Sequence, residues 1–134
     1  MEQAEIDWTP RCANGTLPRD AHIVRWANEL LDAMDGFVRP IRLNSNLTKR
    51  QMAEAGFVDI REEVIRLPFH GWPAEAHGKN LGRWFNLGIR QACQPLILAP
   101  LTRGRGWAPD EIRALSEYIR GEAHSNTAHA YCTL

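Results

Sequence analysis

The sequence lacks most of what would tie it to a charged partner or a bilayer. Sixteen basic and sixteen acidic residues cancel, leaving the 134-residue chain without net charge and with a pI near 7. With no overall field to draw a polyanion, neither nucleic acid nor anionic lipid is expected as a partner. The longest apolar run, Pro95 to Leu101, is far too short to span a bilayer and holds two prolines. The opening MEQAEIDWTP is acidic and has no apolar signal region, so no secretory leader is expected. Cys12, Cys93 and Cys132 are odd in number and share no ligand spacing, which predicts reduced thiols in a cytoplasmic protein. The closest histidines, His124 and His129, have no Cys or carboxylate between them, so no metal centre is predicted.

What is present is ordinary except in one respect. Hydrophobic residues make up 44% and charged residues 24%, as in a soluble globular domain, and five tryptophans are many for this length. Mass scaling predicts one domain over residues 1–134 with a folded surface of roughly 7,100 Å².

The opening to Pro18 contains Pro10, Asn14-Gly15 and Pro18 and reads as loop after at most a short extended segment. A helix is predicted from Arg19 or Asp20 to Gly36, with Ile23, Trp26, Leu30, Leu31, Met34 and Phe37 at helical spacing and Gly36 as its stop. A second helix is predicted from Thr48 to Ala55, capped by Gly56 in the left-handed region. The β-branched stretch Phe57 to Leu67, closed by Pro68, predicts a strand with one wet face. Helical pattern returns from His77 to Gln94, where Pro95 and Pro100 should kink or end it, and Arg103-Gly-Arg-Gly106 reads as a loop. A last helix starts at Pro109, with Asp110 and Glu111 favouring its N-terminus, and ends near Gly121. A terminal strand is predicted over Thr127 to Thr133. The fold class is α+β, mostly helical with few strands.

Several collinear segments resemble one family. They are Asn14-Gly-Thr-Leu-Pro18 with His22 and Arg25-Trp26, then Met52-Ala-Glu-Ala-Gly-Phe-Val-Asp-Ile60, Leu67-Pro68 and Trp72-Pro73. Leu101-Thr-Arg103, Gly106-Trp107, Pro109-Asp-Glu111 and His129-Ala-Tyr131 follow in order. Together they resemble the C-terminal half of class I S-adenosylmethionine-dependent methyltransferases of the fungal secondary-metabolism-regulator type. The resemblance implies a substrate-side domain, a truncated Rossmann-like remnant completed by dimerisation. It also implies a cofactor held on a glycine-rich turn after the first strand and an acidic residue after the second. No Gly-x-Gly-x-x-Gly occurs here, and Gly104-Arg-Gly106 follows a proline-broken helix rather than a strand. No cofactor is therefore expected on this chain. Two departures stand out: His70 occupies a position where the family carries no titratable group, and the chain stops soon after His129-Ala-Tyr131.

The resemblance implies a pocket for an apolar small-molecule metabolite. His70, His22, Arg25 and Tyr131 are the candidate catalytic residues, and Trp26, Trp72, Trp84, Phe85, Arg103 and His129 the candidate substrate-binding ones. Histidine suits proton transfer near neutral pH, and Arg or Tyr can stabilise a developing oxyanion. Plainer readings stand beside these. His22 fits a capping or surface role, Arg25 a solvated helix side chain, Trp72 a turn anchor, and His129 and Tyr131 simple packing. Trp26, Trp84 and Phe85 are equally candidates for a homodimer interface. The leading expectation is a cofactor-independent isomerase or cyclase, a pericyclase among them. The alternative is a non-catalytic module or fragment that partners a full-length methyltransferase.

Overall fold

The computed structural model describes residues 1–123 and 128–134. His124 of the closest histidine pair and Thr127 of the predicted last strand lie outside the described residues.

The elements run β1 (Asp7–Cys12), α1 (His22–Gly36), α2 (Ser45–Glu54), β2 (Arg66–Pro68), α3 (Ala76–Gly104), α4 (Pro109–Glu122) and β3 (Ala130–Thr133). The fold is thus mixed helix and small sheet. The three strands form one antiparallel sheet in the order β1-β3-β2, with Arg11 opposite Tyr131 and Leu67 opposite Cys132.

Ile23, Trp26, Leu30 and Leu31 of α1 are buried together with Ala27 and Ala33, as the 3.6-residue period requires. The helix stops differently from the sequence expectation. Gly36 stays helical, and the left-handed residue is Val38, at φ 56°. The Val38 and Arg39 N–H groups donate to the Asp35 and Met34 carbonyls, the pattern of a Schellman cap with valine where glycine is usual. A β-branched residue is strained there. Val38→Gly should therefore raise stability by about 0.5–1 kcal/mol, after allowance for the greater freedom of glycine in the unfolded chain; urea melts check this.

α2 begins at Ser45, three residues before the predicted Thr48, because the Asn44 side chain accepts the Leu47 N–H at 3.0 Å. It buries no residue and packs against no other described element. Gly56, at φ 92°, closes it as predicted.

The predicted strand Phe57 to Leu67 contracts to three residues, with one more exchange at Ile65, whose N–H and carbonyl pair with Leu134 at 2.9 Å. A strand exists only where a partner does, and β3 is four residues long. Val58 and Val64 accordingly stay 82% and 62% exposed. Conversely β1, where at most a short extended segment was expected ahead of loop, finds β3 as its partner.

α3 runs 29 residues and includes Pro95 and Pro100, so of the expected kink or end the end does not occur; Arg103 and Gly104 are helical, not loop. Each proline withholds one helical hydrogen bond. Packing offsets that loss: Cys93, Ile97 and Leu101 are completely buried against neighbouring helices. α3 is the hub, touching α1, α4 and β2, while α1 also meets α4 and β1. α4 starts at Pro109 as predicted, where Glu111 accepts the Ala108 N–H at 2.8 Å.

The accessible surface is 8,710 Å², above the roughly 7,100 Å² that mass scaling gives for a compact monomer. The unpacked α2 and residues 57–65 supply much of the excess. Among the described residues no helix is long and apolar enough to cross a membrane, and no group of three His, Cys, Asp or Glu is placed to hold a metal. All three cysteines are free thiols.

Candidate functional site

A cavity of about 330 Å³ opens where the N-terminus of α1, the C-terminus of α4, the middle of α3 and the segment after β2 converge. Its walls are mostly apolar, from Ala21, Ile23, Phe69, Ile89, Ile119 and Ala130, with Asp20, His22, His70 and Glu122 as the polar groups.

Glu122 organises one side. Ala21 at the α1 N-cap offers no side-chain acceptor, and Glu122 supplies one from the last turn of α4. Its Oε1 accepts the His22 N–H at 2.8 Å and lies 2.7 Å from His22 Nδ1, while its Oε2 accepts the Ile23 N–H at 3.0 Å. The His22 ring stacks on Tyr118 at 4.4 Å. One carboxylate thus caps a helix, orients an imidazole and ties α4 to α1. Glu122→Ala should cost about 1–2 kcal/mol and fray the first turn of α1, whereas Glu122→Gln keeps one acceptor oxygen for one of the two N–H groups and should cost less. Amide exchange at His22 and Ile23 measures both.

His70 forms the opposite side and is 6% exposed. Its Nε2 donates to the Ala128 carbonyl at 2.8 Å, which fixes the neutral tautomer and leaves Nδ1 buried without a partner among the described residues. Burial pushes its pKa below the ordinary 6.5, the neighbouring His129 lowers it further, and the Ala128 carbonyl opposes both. The unfolded chain therefore takes up a proton at His70 before the folded one does. Stability should fall as pH drops through the normal histidine range, and the effect should vanish above it. His70→Gln should flatten that acid-side loss when urea midpoints are compared between about pH 7 and about pH 5.

Of the ten predicted site residues, only His22 and His70 line this cavity. Trp26 is buried beneath it, with Nε1 donating to the Cys93 carbonyl at 2.8 Å. Trp72 anchors its turn: Nε1 donates to the Ala130 carbonyl, and the ring stacks on His129 at 4.7 Å. Phe85 packs on Phe69 from behind the wall, at 5.5 Å between centroids. Trp84 is 72% exposed on α3, one side chain away from the buried face, and Arg103 is exposed in the last turn of that helix. Arg25 lies over the Trp107 ring at 5.2 Å and does not line the cavity. Tyr131 borders a separate charged cleft of about 730 Å³ between the sheet, α2 and residues 60–66, with Arg66 over its ring.

Two residues that sequence reasoning passed over matter here. Glu122 is one, and nothing local marks it, because its partners lie a hundred residues away. The other is Asn86, whose Nδ2 donates to the Phe69 and Ala123 carbonyls at 2.6 and 2.8 Å and so joins two walls of the cavity. An amide at helical spacing between the buried Gly82 and Ile89 was the available signal.

The residues do not fit S-adenosylmethionine. Among the described residues, three of the four helix N-termini are capped by a side chain of this chain, Glu122 on α1, Asn44 on α2 and Glu75 on α3, while the fourth, on α4, begins with a proline and carries Asp110 and Glu111 in its first turn. The three glycines with positive φ stand singly in turns, not in a strand–turn–helix cradle.

No family model matches the sequence, and no solved structure matches it. Curated proteins do. The chain is 61% identical over 133 residues to a protein-methionine methyltransferase laeA of Chaetomium globosum, covering 99% of this chain and 42% of that protein. It is 40% identical over 132 residues to the secondary metabolism regulator LAE1 of Cochliobolus heterostrophus, covering 98% and 43%. With the secondary metabolism regulator laeA of Aspergillus flavus it shares 38% over 131 residues, covering 98% and 35%. The chain spans about two-fifths of the length of the curated relatives it matches. Over nearly its whole length, therefore, this chain is a relative of one segment of the fungal laeA-type secondary metabolism regulators, among them a named methyltransferase.

Proposed function

We propose that this chain supplies the substrate-side portion of a methyltransferase acting in fungal secondary metabolism. In this reading the cavity between α1, α3 and α4 receives the acceptor, and the methyl donor is held by residues outside these 134. The observation that carries it is the 61% identity, across 99% of the chain, to part of a protein named as a methyltransferase. The capped N-termini of α1, α2 and α3 fit the division of labour.

Calorimetry tests it. The chain alone should give no heat with S-adenosylmethionine. Mixed with the remaining three-fifths of the Chaetomium relative, it should associate and bind the donor. Tight donor binding by the chain alone, or no association with that portion, overturns the reading.

A second reading is a cofactor-independent isomerase or cyclase. One observation favours it: an imidazole, His22, borders an apolar cavity. Holding a flexible substrate in a reactive shape can lower a barrier by up to about 7–11 kcal/mol without covalent chemistry. Turnover of a polyketide-like or prenylated intermediate by the isolated chain, with no donor added, would separate this reading from the first.

A further inference from the structure

The two imidazoles of the cavity are not equivalent. His70 has its Nε2 engaged by the Ala128 carbonyl and its Nδ1 sealed from solvent, so neither nitrogen is presented to a ligand. His22 is arranged the other way. The Glu122 carboxylate, 2.7 Å from Nδ1, takes that hydrogen and leaves the ring's lone pair on Nε2. Tyr118, stacked at 4.4 Å and nearly parallel, restrains the ring from turning. Nε2 has no protein partner among the described residues. A carboxylate-oriented imidazole with its second nitrogen available is the arrangement of a general base.

We propose that His22 and Glu122 form a general-base dyad at the mouth of the cavity, removing the proton of a planar apolar ligand that bears a phenolic or enolic O–H. The proposal rests on reading this cavity as the substrate pocket. The walls set the ligand class: Ile23, Phe69, Ile89, Ile119 and four alanines enclose about 330 Å³, room for one or two fused rings with little to hydrogen-bond except at the His22 side. The dyad sets the reacting group. A thioether carries no proton for a base to take, so the arrangement is matched to an O–H nucleophile. In the step, the O–H bond breaks and its electron pair stays on oxygen. The proton moves to His22 Nε2, and the resulting imidazolium stands in an ion pair with Glu122. The charge of ligand plus dyad is unchanged, and a nucleophilic oxygen results in a mostly apolar site, where poor solvation raises its reactivity.

4-Nitrophenol is a suitable probe, because its phenol and phenolate absorb at different wavelengths. In buffer below the probe's own pKa, the 134-residue protein should bind it saturably and bring up the phenolate band. His22→Gln should bring up no such band, and Glu122→Gln should lower the phenolate-to-phenol ratio of the bound probe about tenfold or more. Ala123→Phe, placed at a half-exposed wall position, should fill the cavity and abolish binding; circular dichroism confirms that each variant is folded. Saturable binding with the probe still neutral overturns the dyad and leaves the pocket standing. Absence of saturable binding, or binding that Ala123→Phe does not alter, overturns the pocket reading itself.

Discussion

Gly82→Ala should destabilise the protein by about 2–3 kcal/mol, against the rule that alanine is better than glycine by about 1 kcal/mol inside a helix. The reason is contact. A Cβ at residue 82 would stand 2.3 Å from the His70 carbonyl oxygen and 3.1 Å from the Pro68 Cβ. Neither atom is the end of a flexible side chain. The segment that leaves β2 lies directly on α3, and only a hydrogen at residue 82 lets the two backbones approach so closely. Relief means moving α3 away from Phe69 and His70, and therefore opening one wall of the cavity and straining the His70–Ala128 hydrogen bond. Gly88, six residues along the same helix, is the internal control. No atom lies within 4 Å of a Cβ there, so Gly88→Ala should stabilise by about 0.5–1 kcal/mol. Urea unfolding of the pair decides the matter. Equal effects of the two substitutions, or a gain from Gly82→Ala, would show that the close approach is not what holds this wall.

The same pair shows how much of the fold was legible. Both glycines sit in one helical pattern, and nothing local separates them; the difference is made by residues 68–70, which come from another element. Local signals carried well where local physics decides. The period of Ile23, Trp26, Leu30 and Leu31 located α1, Pro109 located the start of α4, and Gly56 located the end of α2. They failed where a distant partner decides. β1 and β2 take their lengths from β3, so the stretch 57–64 finds no strand partner despite its β-branched content. Pro95 and Pro100 were expected to kink or end the helix, yet the buried face of Cys93, Ile97 and Leu101 keeps α3 continuous.

The site was legible in part, for a related reason. His22 and His70 were singled out as residue types with useful chemistry, and both border the cavity. The sequence could not say which nitrogen each presents, because that depends on Glu122 and Ala128, each far along the chain. The aromatic candidates drew attention by size alone. Burial sorts them into a core residue (Trp26), a turn anchor (Trp72), a wall support (Phe85) and an exposed side chain (Trp84).

Trp26→Ala should be the most damaging single substitution in the chain, at about 3–5 kcal/mol, a large share of the 5–15 kcal/mol typical of a whole domain. The side chain is 1% exposed at the meeting of α1 and α3. Two contributions are lost together. The indole leaves a void that the rigid α1–α3 contact can only partly close, and its N–H no longer reaches the Cys93 carbonyl at 2.8 Å. Trp26→Phe separates them. It keeps most of the apolar volume and loses the N–H, and the Cys93 carbonyl retains its place in the helical hydrogen-bond ladder of α3. That variant should cost only about 1–2 kcal/mol. The damage should also travel in a defined direction. Trp8 on β1 meets the edge of Trp26 at 5.7 Å between centroids, so truncating Trp26 removes the support under the sheet's outer strand. Amide exchange in β1 should rise in Trp26→Ala well before that in α4, whose buried Ile112, Leu115 and Ile119 belong to a helix that also packs on α3. Uniform loss of protection across β1 and α4 would mean instead that the domain unfolds as a single unit with no separable edge, and that the indole acts on the whole core rather than on its sheet-facing side.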